Sequence, residues 1–565
     1  MQERTTRKWW KEGIVYQIYP RSFNDTTGNG IGDLKGITQK LDYIKSLGVD
    51  IIWLNPIYQS PNDDNGYDIS DYRNIMGEFG TMEDFKELLQ GIHDRGLKLI
   101  MDLVVNHSSD EHEWFQQSRS SRDNKYRDYY HWWPAEDGVP NKRWSYFDVD
   151  GNAWKYDELT DSYYLHYFSE KQPDLKWENP VVRKEVYDMM HFWFKKGVDG
   201  FRMDVISFLS KDISFPELPT KYQGDFITYY AEGENIHDYL NEMNNEVLSK
   251  YDVMTVGEAP GVTIDNAFKF VDEDRKELDM FFHFDLMGLD RADGEVFMMR
   301  KDKWKLSEFK AVFSRWDRVF AEKGWGSLFI GNHDFPRSVS RWGNDSHQYW
   351  KNSATLLQTF LLTMRGTPYF YYGDEIGMTN IRFNSIYDYR DINTINKYES
   401  LKNTGEDLEA FIENEKEAAR DNARTPMQWD LTRHAGFTTG EPWLKVNPNH
   451  LTRISVQAQE NDQFSVLNYF RKMARIRKDN LVLTYGSYND IDTSNDQVYA
   501  YTRTNNKDIF LILLNFSTDE ITYSLPNNIQ LKKSELVISN TSISEDIKEN
   551  AVFLKAYQAI VYKLS

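Results

Sequence analysis

Apolar runs recur along residues 13–375, and eight of them have the length and the Val, Ile, Leu and Phe enrichment of buried strands. They cover 13–20, 49–56, 97–106, 198–204, 253–258, 279–285, 327–334 and 367–375. Most are separated by segments with apolar positions three and four apart, as in 34–47, 82–95, 181–196 and 306–323. That spacing predicts amphipathic helices. Strand–helix alternation repeated eight times predicts an α/β fold, a (β/α)8 TIM barrel.

Two stretches depart from the alternation. Residues 107–179 are rich in Trp, Tyr, Asp and Ser and too long for one crossover helix, so a small inserted domain is expected there. Residues 379–443 follow the eighth strand and are expected to fold over the same face. From residue 481 the runs 497–502, 509–516, 521–525 and 556–564 predict a C-terminal all-β sandwich. The expected division is 1–106 with 180–480 for the barrel, 107–179 for the inserted domain and 481–565 for the β domain.

The predicted strands share a second property: they end in polar residues. Asn106-His107, Asp204, Glu258, Asp285, His333-Asp334 and Asp374-Glu375 all stand at C-terminal ends. In a barrel of this kind the active site lies at that face. One such residue could simply cap the next helix; several together favour function. Asp204, Glu258 and Asp334 are the set that a reaction through a sugar cation needs. One carboxylate attacks, one carries a proton and one stabilises positive charge. Arg202, two residues before Asp204, points to the same side, and its permanent charge is expected to keep Asp204 ionised. Glu258 follows an apolar run and precedes Ala259-Pro260, a dry setting expected to raise its pKa.

Composition narrows the alternatives. A chain of 565 residues exceeds what one core usually spans. The formal charge of −21 argues against a general nucleic-acid binder, which needs a basic face. The absence of cysteine excludes disulfides and thiolate metal sites. No apolar run approaches a membrane span, and the charged N-terminus leads into none, so a cytoplasmic location is expected. The expected partner is a small oligosaccharide or disaccharide, with no nucleic acid and no membrane, and the expected state is a monomer.

Six runs occur in order: Asp102-Leu103-Val104-Val105-Asn106-His107, Gln172-Pro173-Asp174-Leu175, Gly200-Phe201-Arg202-Met203-Asp204, Gly257-Glu258, Asn332-His333-Asp334 and Gly373-Asp374-Glu375-Ile376-Gly377. With them the chain resembles the α-amylase superfamily, glycoside hydrolase family 13. It is similar to the group of oligo-1,6-glucosidases, dextran glucosidases and sucrose isomerases.

The resemblance implies a retaining enzyme with Asp204 as nucleophile, Glu258 as general acid/base and Asp334 as transition-state stabiliser. No cofactor is implied for catalysis. His107 and His333 would hydrogen-bond sugar hydroxyls, and Tyr67 would stack on a terminal glucose. Asp68 and Arg424 would grip its far hydroxyls and block a longer chain. Phe168, Gln172 and Arg202 complete the implied binding set. Val205, next to the nucleophile, goes in this group with α-1,6 linkages. The loop 25–33 spaces oxygen-bearing residues at alternate positions with glycines between, which suits a structural calcium ion held by Asp25, Thr27, Asn29, Ile31 and Asp33. The family usually has Asn where Thr27 stands and Asp where Asn29 stands, so one carboxylate is missing. The same loop also reads as a hydrogen-bonded turn.

The resemblance leads to exo-acting hydrolysis of α-1,6-linked glucose, and it carries an alternative. Leu289-Asp290-Arg291 resembles the charged loop of sucrose isomerases, but Gly288 replaces its first arginine and Ala292 interrupts its end. Val205 stands where isomerases have Thr, and Pro260 where they place an aromatic clamp. The alternative is therefore a sucrose isomerase, or a broader α-glucosidase or transglucosidase. A non-catalytic binding barrel is disfavoured, because all three carboxylates are present.

Overall fold

The structure is a computed structural model that describes residues 7–147, 151–222, 225–231, 233–292, 298–527, 529, 531, 534–543 and 550–564. Eight parallel strands form its centre: β1 (Val15–Ile18), β2 (Ile51–Leu54), β3 (Lys98–Leu103), β4 (Gly200–Met203), β5 (Met254–Glu258), β6 (Met280–Phe282), β7 (Ser327–Leu328) and β8 (Thr367–Tyr371). Their order round the sheet is β6-β5-β4-β3-β2-β1-β8-β7. Every neighbouring pair is parallel. Nearly all strand residues are buried, which is why these strands read as continuous apolar runs. Between β6 and β7 no ladder is formed; the Ser327 hydroxyl donates to the Phe281 carbonyl at 2.7 Å across the seam. Gly200 opens β4 because a Cβ there would lie 2.1 Å from the Met254 carbonyl oxygen.

All eight strand runs of the sequence become barrel strands, but most end earlier than expected, β7 and β8 by the widest margin. β7 stops at Leu328, so Asp334 stands six residues beyond the strand. β8 stops at Tyr371 and turns through Asp374–Ile376. Glu375 there is fully buried and accepts the Tyr16 hydroxyl at 2.8 Å and the Tyr43 hydroxyl at 2.9 Å. Asp285 accepts from Trp316 Nε1 at 2.9 Å and pairs with Arg315. These two strand-end acids serve the scaffold.

The helices follow from their caps. Met82–Asp94 starts on a Thr81/Asp84 capping box. Pro180–Lys196 starts on Asn179 with proline in its first turn and ends at left-handed Gly197. Leu306–Glu322 covers the fourth expected segment. The expected helix over 34–47 is instead two, Leu34–Gln39 and Leu41–Ser46. The break falls at Lys40, whose ammonium sits 4.1 Å from the Trp429 ring centroid.

Between β3 and β4 lies a three-stranded antiparallel sheet, with Ser162–Leu165 between Trp132–Pro134 and Trp154–Asp157. After β8 the chain makes helices Ile392–Thr404 and Leu408–Ala418, each capped by an aspartate, and the short helix Asp421–Arg424. The tail holds a five-stranded antiparallel sheet and a two-stranded one. The expected strand at 556–564 is only its second half. Ala551–Leu554 and Ala559–Leu564 are separate strands, divided by a turn with Tyr557 at φ 50°. Ser487–Asp490 escaped notice because it is short, polar and largely uncovered, and Glu535–Ser539 because its apolar run, Leu536-Val537-Ile538, is only three residues long. No described helix is long and apolar enough to cross a membrane.

Two buried arginines lock the tail to the barrel through backbone carbonyls. Arg477 donates to the carbonyls of Leu362, Met364 and Leu483 at 2.9, 2.9 and 3.1 Å. Arg503 donates to Leu483 at 2.6 Å, to Gly486 at 2.7 Å and to Thr363. Burial pushes both guanidinium pKa values down to about 9. Arg503→Met should lower unfolding stability by about 2–4 kcal/mol, because the buried carbonyls lose their donors. An unchanged urea midpoint would show that the seam does not depend on this residue.

Candidate active site

β4 and its neighbours set the electrostatic centre. In register, Arg202 pairs with Asp102 of β3 and Val256 of β5. Strand neighbours point the same way, so Arg202 and Asp102 both face inward with Asp204 two positions on. Arg202 is 1% exposed. Its Nη1 reaches Asp102 Oδ1 at 2.6 Å and Asp204 Oδ1 at 2.5 Å, and its Nη2 reaches Glu258 Oε2 at 2.8 Å. Burial raises Asp204 to about 6 even though Arg202 pulls the other way. Desolvation outweighs the single cation, and Asp204 is ionised above about pH 6. Burial also raises Glu258 to about 8, with Asp204 and Asp334 adding to the rise. Asp204 and Glu258 are thus neighbours on one guanidinium, each held by a different nitrogen of Arg202.

Val205 follows Asp204 with φ 33° and ψ 42°, a left-handed conformation that is costly for a β-branched residue. The turn aims its N–H at Glu258 Oε2, 3.0 Å away.

Asp334 has the opposite surroundings. Burial alone would raise its pKa, but cations hold it well below the usual carboxylate range. Arg424 Nη2 donates to Asp334 Oδ1 at 2.9 Å and Arg420 Nη1 at 3.1 Å. His333 lies 3.2 Å from Asp334 Oδ2, but burial lowers its own pKa to about 3. It is therefore neutral at ordinary pH, and the arginines carry the effect. Gln17 Nε2 sits 2.9 Å from His333 Nδ1, which leaves the ring proton on Nε2, facing the Tyr67 hydroxyl at 2.7 Å. Burial also lowers His107 to about 3.

These groups surround a cavity of about 180 Å³ at the C-terminal end of the barrel. Asp204, Glu258, Asp334, Tyr67, His107, Phe168 and Val205 line it. Arg202, His333, Gln172 and Arg424 are buried behind this lining and touch it: Gln172 Nε2 approaches Asp64 Oδ2 at 3.2 Å. Larger hollows open elsewhere: about 310 and 550 Å³ beside Thr255 and Ser327, at the start of β5 and β7, and about 490 Å³ beside Asp63 and Trp154. None of these brings the three carboxylates together.

Asp68 is placed differently from the sequence expectation. It is fully buried and accepts from Ser60 Oγ at 3.0 Å and from the backbone N–H groups of Asp63 and Asp64 at 2.8 and 3.1 Å. It ties up the loop, and the carboxylate that this loop presents to the cavity is Asp64. Arg420, 3.3 Å from Asp64, is the arginine on the wall, with Arg424 behind it. Asp64 and Arg420 were missed because Asn62-Asp63-Asp64 and Arg420-Asp421-Asn422-Ala423-Arg424 each offer several equivalent side chains. The rest of the lining is apolar: Tyr146, Phe147, Ile227, Pro260, Phe284 and Phe335.

The loop 25–33 does not fit a cation. Both oxygens of Asp25 accept backbone N–H groups: Thr27 and Gly28 on Oδ1, Gly30 on Oδ2. Asn29 Oδ1 accepts from Ile31 N, and Asp33 from Thr26 N and Gly36 N. N–H donors occupy the places where a calcium ion would require bare oxygens. Among the described residues no group of three or more His, Asp or Glu side chains is placed to hold a metal ion. Arg291 is buried beside Asp290, which Arg341 grips at 2.6 Å; Asp293, the end of the isomerase-like loop, lies outside the described residues.

A barrel that gathers an arginine-bridged carboxylate pair and a third, cation-held carboxylate in a sugar-sized cavity is the site of a glycoside hydrolase. The comparisons agree: residues 17–486 match the alpha amylase catalytic domain, and residues 498–561 match the alpha-amylase SusG C-terminal domain. The chain belongs to the α-amylase family, glycoside hydrolase family 13. It is 51% identical to an oligo-1,6-glucosidase of Bacillus cereus, over 99% of this chain and 100% of that one. It is 52% identical to an oligo-1,6-glucosidase of Parageobacillus thermoglucosidasius, over 99% of each. Among solved structures it is similar to a mutant isomaltulose synthase from Erwinia rhapontici NX5 in complex with D-glucose, with a TM-score of 0.96, 46% identity and 100% of both chains covered.

Asp64→Asn should lower kcat/KM by about 10- to 100-fold, the usual cost of losing a charge-assisted hydrogen bond to a ligand or leaving Arg420 short of a partner. Asp68→Asn should act mainly on thermal stability. Steady-state kinetics and melting curves of both variants check this; the reverse pattern would return Asp68 to the wall.

Proposed function

We propose that the protein is a retaining, exo-acting α-glucosidase that hydrolyses α-1,6 bonds at the non-reducing end of isomalto-oligosaccharides. The observation that carries it is the Arg202 bridge between Asp204 and Glu258 in a cavity walled by Asp64 and Arg420. Two carboxyls that share one guanidinium are close neighbours, which supports a retaining pair, about 5–5.5 Å apart, over the wider spacing that an inverting enzyme needs for its water. Three relatives named oligo-1,6-glucosidase, 48% to 52% identical over nearly the whole chain, support the linkage. So does Val205 on the cavity wall.

In this reading Glu258 donates its proton to the glycosidic oxygen while Asp204 Oδ attacks the anomeric carbon. The C–O bond to the leaving sugar breaks and a glucosyl ester forms. Glu258, now ionised, takes a proton from water, whose oxygen attacks the same carbon and frees Asp204. Asp334, held ionised by Arg420 and Arg424, stabilises the oxocarbenium character in both steps. No cofactor or metal enters. The three-stranded sheet after β3 and the antiparallel sheets of the tail support the division at 107–179 and 481–565.

Products from isomaltotriose, maltotriose and sucrose test the proposal. Glucose released from isomaltotriose with retained anomeric configuration is expected. Preference for maltotriose would overturn the linkage, and isomaltulose or trehalulose as main product from sucrose would move the chain to the isomerases.

The pH profile follows from the pair. Asp204 must be ionised, so kcat/KM should fall as pH drops through about 6. Glu258 must be protonated, so it should also fall as pH rises through about 8. The two limbs belong to the coupled pair. A profile flat between pH 5 and 9 would contradict the assignment.

A further inference from the structure

The helix Ile392–Thr404 begins on Asp391, a wholly buried carboxylate that accepts from Thr394 N as a helix cap. Its Oδ1 makes contacts that a cap does not need. It accepts from Arg420 Nε at 2.9 Å and Arg424 Nη1 at 3.3 Å, and Arg420 Nη2 closes on the same atom. Both guanidinium groups then turn their remaining N–H groups toward the site. Arg420 reaches Asp334 at 3.1 Å and Asp64 at 3.3 Å, and Arg424 reaches Asp334 at 2.9 Å.

Three further observations point the same way. Asp334 lies six residues past a two-residue strand, so the barrel ladder does not fix it. Asn396, one turn along from the cap, donates to the Phe147 carbonyl at 2.8 Å, and the Phe147 ring faces the Arg420 guanidinium at 5.0 Å. Asp421 in turn secures the cap, accepting from the N–H groups of Arg390 at 2.6 Å and Asp391 at 3.0 Å.

The geometry points to Asp391 as a positioning residue: through Arg420 and Arg424 it sets where Asp334 and Asp64 stand at the wall of the cavity. It does not line the cavity and touches no reacting atom. Its carboxylate removes the rotational freedom of two long side chains, each of which otherwise has two acidic or carbonyl acceptors to choose among. The inference rests on the roles proposed above for Asp334 and for a glucosyl unit in the cavity.

Asp391→Asn, which keeps the size and the capping acceptor, tests it. A circular dichroism spectrum like the wild type is expected. Glucose binding, measured by calorimetry, should weaken at least about tenfold, and kcat/KM on isomaltose should fall about a hundredfold, as for a reacting group displaced by about 1 Å. Combined with Arg420→Lys, the double variant should lose clearly less than the product of the two single losses, because the two substitutions share the Arg420 guanidinium and only the Arg424 contact remains separate. Asp391→Glu should recover part of the loss, and it takes the place of Asp391→Asn in the same cycle should the latter not fold. Effects that multiply independently, or an Asp391→Asn within about twofold of wild type, would overturn the role. A wild type that binds glucose but leaves isomaltose intact would defeat the functional reading alone, since the binding arm still judges Asp391.

Discussion

One guanidinium holds three buried carboxylates, and most of the site follows from that. Arg202 touches Asp102, Asp204 and Glu258, each on an adjacent or the same strand. Three charged acids in a dry cavity could not coexist with a single cation, so at least one has to keep its proton. The local surroundings decide which. Glu258, with Asp204 and Asp334 as like-charged neighbours, is the group pushed highest. A proton donor is thus present before any substrate arrives.

The second cationic centre works in the reverse direction. Arg420 and Arg424 meet Asp334, Asp391 and Asp64, and there the positive charge prevails over burial at Asp334. In the proposed mechanism the two centres split three chemically similar side chains into a proton carrier, a nucleophile and a permanent anion. Neither cluster is made by one element. The first belongs to barrel strands; the second to the excursion after β8, which brings its cations back over the rim.

Much of this was legible in the sequence where a periodic element carried it. The eight strands were found because buried parallel strands are continuously apolar, and Asp204 and Glu258 were found because strand ends fix where side chains point. Loops gave less. Asp68 and Asp64 are four residues apart in one loop, and only the fold shows that the first ties the loop together while the second faces the cavity. Arg424 and Arg420 repeat the problem one helical turn apart. The ends of β7 and β8 were overestimated because an apolar run continues past the last ladder bond. Asp391 gave no signal at all: as a residue before a helix it reads as an ordinary cap, and its partners are 29 and 33 positions away.

The seam between β6 and β7 gives the site an uneven stiffness. Asp204 and Glu258 stand on strands joined by an unbroken ladder, and Asp334 stands across the gap that Ser327 spans with one hydrogen bond. In the proposed mechanism the pair that makes bonds and moves the proton is carried on the continuous side of the barrel, while the stabilising anion is held from the other side of the gap by arginines of the excursion after β8.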